Sequence, residues 1–157
     1  MTEGPAIRPL TEGERNLAAS IFGSAPDFEP VTVKRKKWFP FQPKQVLMAP
    51  TGHVHIHPAS SHWSEDFSQE RVQAQGWFLH ELTHVWQTQH RGKYYLPLMR
   101  HAFCRYDYAV RANWPLERYG LEQQAEIVRH AFLLRHGVTV PGAPPLAVLE
   151  SILPFRS

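Results

Sequence analysis

The sequence is poor in cysteine and in aspartate: one Cys, at position 104, and three Asp in 157 residues. A single thiol excludes an intramolecular disulfide and any metal site built from cysteines alone. No segment approaches the ~18 consecutive apolar residues that a membrane-spanning helix needs. The amino terminus, Met-Thr-Glu-Gly-Pro, has neither a basic start nor an apolar stretch, so no signal peptide is expected. A cytoplasmic location is therefore the default, and export by a specialised secretion machine would leave no such mark. Charge of one sign is also scarce. Seventeen Lys+Arg against 14 Asp+Glu leave a net charge of +3, without the broad basic face of a nucleic-acid binder. The one dense run, Lys34-Arg35-Lys36-Lys37, reads as the solvated face of a strand. Neither a nucleic-acid nor a membrane partner is expected.

Histidine is what the chain has in excess, with ten residues. Without cysteines, that surplus points to nitrogen-ligand metal chemistry. The length and an apolar content of 43% suit one globular domain over residues 1–157 with a real core. Within it, residues 1–9 read as a loose leader and 138–157 as a Pro-rich tail with a short helix near Leu146–Leu153. A first helix is expected over Glu12–Phe22, opened by Thr11 with Glu14 in a capping box and stopped by Gly23. Val31–Val33, Gln45–Ala49 and His53–His57 read as strands of a small antiparallel sheet. A long amphipathic helix is expected from Ser68 to His90, ended by Gly92. Residues 93–114 are irregular and aromatic-rich, and a second long helix follows Gly120 until His136. The fold class is α+β, with the small sheet packed on two long helices.

The first long helix contains His80-Glu81-Leu82-Thr83-His84, an H-E-x-x-H sequence. Residues four apart lie one turn apart on one helix face, so both imidazoles can reach one ion. Glu81, beside them, can reach a metal-activated water as general base. At this composition the pattern would arise by accident somewhere in the chain with a frequency of roughly 0.04.

A zinc ion needs a third protein ligand and keeps a fourth position for water. His90 follows His84 by six residues, but ten residues of continuous helix span ~15 Å, too far for His80 and His90 to share an ion. Gln87 stands where a helix-breaking Gly would be needed to turn the chain back. Glu122 is the better candidate. It lies on the second long helix with Glu126 one turn on, placed to orient a ligand histidine. The alternative is an exposed charged face in which these glutamates pair with Arg129 and His130. Glu122-Gln123-Gln124-Ala125-Glu126 resembles the E-x-x-A-[D/E] element of gluzincin metallopeptidases.

The stretch Phe78-Leu79-His80-Glu81-Leu82-Thr83-His84-Val85-Trp86-Gln87 resembles the small bacterial zincin-like proteins called Vgr-related proteins. It is also similar to the H-E-x-x-H-x-x-Q zincin domains attached to contractile-injection and type VI secretion effectors, where Gln87 matches a characteristic position. The resemblance extends to Trp38–Pro43, His101–Tyr108 and Tyr119–Glu126. It implies a gluzincin-type zincin fold, His80, His84 and Glu122 on Zn²⁺, and an association with secretion-spike proteins.

The expected function is zinc-dependent hydrolysis of a peptide bond, with Glu81 as general base and Glu126 behind the ligands. The rival is a catalytically weak zincin-fold adaptor module of a secretion apparatus. The partners are accordingly a peptide or protein substrate, or secretion-apparatus proteins. Tyr106, Tyr108 and His101 lie between the ligand-bearing helices and are candidates to hydrogen-bond the oxyanion, or else packing residues. His53, His55 and His57 share one face of a strand and read as a second metal or proton site, or as a polar face. Asp107 reads as a ligand-supporting or turn residue, and Cys104 as a small buried apolar side chain.

Overall fold

A computed structural model describes residues 6–24, 26–92, 96 and 105–155. Among them are three short strands, β1 (Ile7–Pro9), β2 (Thr32–Lys34) and β3 (Val54–His55), and four α-helices. The helices are α1 (Glu12–Phe22), α2 (Val72–Arg91), α3 (Leu121–Arg135) and α4 (Leu146–Ile152). The α+β reading holds. No helix among the described residues is long and apolar enough to cross a membrane. His101 and Cys104 lie outside the described residues.

Helix α1 begins and ends where its sequence signals stand. Thr11 Oγ1 accepts from the Glu14 amide at 3.0 Å, and Glu14 Oε1 accepts from the Thr11 amide at 2.9 Å. The same Glu14 carboxylate is buried and takes both Nη atoms of Arg8, at 2.7 and 3.0 Å. This pair draws residues 7–9 out of the expected leader and into the sheet, as β1.

The sheet is mixed rather than antiparallel. Strand β1 runs antiparallel to β2, with Arg8 opposite Val33, but β2 and β3 are parallel, with Val33 opposite Val54. The expected strand Gln45–Ala49 contributes only a bridge between Met48 and His55. A buried side chain explains the loss. Gln42 Nε2 donates to the carbonyls of Val46 at 3.0 Å and His55 at 3.2 Å, taking acceptors that a ladder would use. The basic run also leaves the strand: β2 ends at Lys34.

Helix α2 starts later than its apolar pattern suggests. Asp66 caps a separate 3-10 turn at Phe67–Gln69, and extended backbone at Glu70 and Arg71 interrupts the helix. From Phe78 to Thr88 every residue of α2 is buried. Leu79, Leu82 and Val85 join Phe22, Ile56, Ile127, Phe132 and Leu149 in the core. Gly76 lets α3 approach closely, because a Cβ there would sit 3.3 Å from Arg129 Cγ and from Leu133 Cδ2. The buried stretch of α2 also contains His80, Glu81, Thr83, His84 and Gln87. Polar groups taken out of water need partners, and facing α3 supplies most of them.

Candidate metal centre

His80 and His84 lie one turn apart on α2, and Glu122 faces them from the first turn of α3. The Glu122 carboxylate touches both rings: Oε2 is 3.2 Å from His80 Nε2, and Oε1 is 2.9 Å from His84 Nε2. One ligand atom from each of the three lies within 4.8 Å of the others, and no other such group occurs among the described residues. All three side chains are buried.

Hydrogen bonds behind the rings decide which nitrogen faces this point. The Leu121 carbonyl can only accept, so the Gln87 Nε2 group 3.0 Å away must face it. Gln87 Oε1 then faces His84 Nδ1, at 2.8 Å, and the imidazole must donate there. Its Nε2 lone pair is left toward Glu122, and this buried atom makes no hydrogen bond. Gln124 secures the amide from the far side. Its Nε2 donates to the Tyr119 carbonyl at 2.7 Å, and its Oε1 accepts from Gln87 Nε2 at 2.9 Å.

His80 is oriented in the same sense by a charged partner. Its Nδ1 lies 3.2 Å from Glu126 Oε2, so Nε2 points to Glu122. Arg129 holds Glu126 in a fork, at 2.6 and 2.9 Å, and itself lies over the Trp77 ring at 4.2 Å. Burial and the donors on His80 and Arg129 act oppositely on the Glu126 carboxyl, and the donors win, bringing it down to about 2. Burial disfavours a charged His80, but hydrogen bonds to Glu122 and Glu126, with Glu81 nearby, hold its imidazole up at about 9. The pocket thus carries surplus negative charge that draws in a cation. Two Nε2 atoms and a carboxylate around one point fit a divalent ion of the zinc type.

A cleft of about 400 Å³ opens beside this cluster. His80, Glu81 and Tyr106 form its end at the cluster, and Leu47, Trp63, Phe67, Ala74 and Trp77 supply apolar wall, with Glu70 and Arg71 adding charge. Tyr106 stacks on His80, with centroids 5.9 Å apart and planes at 15°.

The other sequence candidates are dispersed. Tyr108 does not line the cleft; its hydroxyl pairs with His130 Nδ1 at 2.7 Å. The Asp107 carbonyl accepts from Gln123 Nε2 at 2.7 Å. His90 is exposed at the end of α2 and stacks on Trp86. His53, His55 and His57 do not form a second site: they bond to Thr32, the Lys36 carbonyl and the Ala59 amide respectively. Glu122 and Glu126 do not form an exposed face, since both are buried. Sequence reasoning missed Gln124, the function of Gln87, and Trp63 and Trp77 as cleft wall. The Gln87 signal was present in its position one turn after His84.

No family model matches the chain. The chain is 36% identical over 137 residues to the type VI secretion system spike protein VgrG2b of Pseudomonas aeruginosa. That alignment takes in 83% of this chain but only 13% of the length of that relative. The solved effector domain of P. aeruginosa VgrG2b superposes with a TM-score of 0.73 at 34% identity, covering 92% of this chain and 80% of that one.

Proposed function

For a chain that belongs to the family of the VgrG2b effector domain, we propose zinc-dependent hydrolysis of a peptide bond, performed as an effector module of a type VI secretion apparatus. The observation that carries this reading is the convergence of His80 Nε2, His84 Nε2 and the Glu122 carboxylate on one buried point at the end of a substrate-sized cleft. His80, His84 and Glu122 would hold the ion, which when bound supplies Lewis-acid polarisation of the scissile carbonyl and acidifies water.

The chain's own residues do the rest. Glu81, at the cleft end beside His80, takes a proton from the attacking water. The water oxygen bonds to the carbonyl carbon, the C–N bond breaks, and Glu81 returns the proton to the departing amine. Glu126 and Gln87 keep both imidazoles turned with Nε2 inward. Tyr106, over His80, is the candidate donor to the oxyanion. Trp63, Phe67 and Trp77 exclude water and receive apolar parts of a substrate.

The test compares wild type with Glu81→Gln on a quenched peptide library, with metal content measured on the same samples. Glu81→Gln should retain metal and lose roughly 10²-fold or more in turnover. Equal turnover in the two proteins would sink the hydrolytic reading.

A second reading rests on the kinship with a spike protein: a binding module of the secretion apparatus whose ion, if any, is structural. It predicts zinc-loaded wild type inert on every peptide, and a spike-protein interaction indifferent to Glu81→Gln.

A further inference from the structure

Residues 30–64 contain no Asp or Glu but hold Lys34, Arg35, Lys36, Lys37 and Lys44. The structure divides these cations. Arg35 lies over the Trp63 ring at 4.3 Å and pairs with Glu65 at 3.6 Å. Lys36, Lys37 and Lys44 are exposed, and no ion pair among the described residues takes them up.

Between these lysines the chain presents apolar rings to water. Phe41 is 86% exposed and Trp38 39% exposed. The loop is nevertheless anchored. Gln42 is buried beneath it, accepting from the Trp38 amide at 2.8 Å and donating to the Val46 and His55 carbonyls. Pro40 and Pro43 flank Phe41 and Gln42 and restrict the turn. A ring held outward at a fixed tip, among ammonium groups and far from any acid in sequence, has the chemistry of an interfacial anchor. The ring enters the headgroup layer and the lysines meet lipid phosphates.

We propose that loop 36–46 docks on a bilayer surface bearing anionic phospholipids. A nucleic acid fits less well, because it calls for cations along a groove and for side chains free to contact bases. Here the cations surround a projecting tip. The Gln42 and Gln45 amides and the Arg35 guanidinium are engaged within the protein. Gln45, Val46 and Leu47, which follow Lys44, line the cleft, so docking brings the cleft to the headgroup level. This revises the expectation of no membrane partner, which weighed only spanning segments.

Co-sedimentation of the full chain with vesicles tests the proposal. Wild type should partition onto phosphatidylcholine vesicles containing phosphatidylglycerol and not onto phosphatidylcholine alone, and salt should weaken binding. Lys36→Ser/Lys37→Ser should lower the partition coefficient roughly fivefold per lysine. Phe41→Ser should lower it roughly tenfold, with the melting temperature of both variants unchanged because the altered side chains are exposed. Three results would overturn the proposal: no binding to the anionic vesicles, equal binding to both vesicle types, or binding indifferent to the variants. So would a single-stranded oligonucleotide that displaces the vesicles and binds with the same dependence on Phe41.

Discussion

Replacing Gln87 by Met tests the inward orientation of the metal-site histidines. Met has similar length and helix propensity, so the change removes polar contacts with little effect on packing or backbone. Three hydrogen bonds disappear: His84 Nδ1–H to Gln87 Oε1, and Gln87 Nε2 to Leu121 O and to Gln124 Oε1. At about 1 kcal/mol net each, the metal-free protein should lose about 3 kcal/mol. The buried acceptors left behind keep the loss from being smaller. The second effect is on the ion. With no acceptor behind it, the His84 ring is free to carry its proton on Nε2, the atom that faces Glu122. Loss of such a supporting partner weakens metal binding by about 10–100-fold, equivalent to about 1.4–2.7 kcal/mol. Urea unfolding of the metal-free protein reads the first effect, and competition against a chromophoric zinc chelator reads the second. Nitrogen NMR of the imidazoles identifies the tautomer. Zinc affinity within about threefold of wild type, alongside the stability loss, would refute the orienting role and leave Gln87 as a helix–helix tie only.

Two further predictions concern the scaffold. Arg8→Met should destabilise the protein by about 3–5 kcal/mol in chemical unfolding, because it strands the buried Glu14 carboxylate that the two Arg8 contacts now neutralise; Arg8→Met/Glu14→Leu should recover much of that loss. His55 should give stability an acid limb. Burial and the nearby Lys34 charge lower its imidazole from 6.5 to about 4, so the unfolded chain binds this proton more readily than the folded one. Its contribution is complete above pH 6.5 and is lost as pH falls toward 4, by about 1–2 kcal/mol once solvent screening is allowed for. The difference between the pH–stability curves of wild type and His55→Gln isolates that term, and superimposable curves would refute it.

What the sequence alone determined was local. The limits of α1 follow from a Thr11–Glu14 box and Gly23, whose partners are a few residues apart. The His80/His84 pair follows from helix pitch, and so does the exclusion of His90. The tertiary structure decided what depends on distant partners. Glu122 meets the histidines because Gly76 lets α3 lie close against α2. The nitrogens that face inward are set by the Leu121 and Tyr119 carbonyls through Gln87 and Gln124, a chain of bonds with no periodic signature. The row His53–His57 looked like a cluster by alternation, yet β3 is only two residues long, and each ring found its own backbone partner. The strand expected at Gln45–Ala49 had the right composition and lost its ladder acceptors to one buried amide. Periodicity reports which face a residue occupies, whereas a site depends on which faces meet, and that is settled only when the whole core packs.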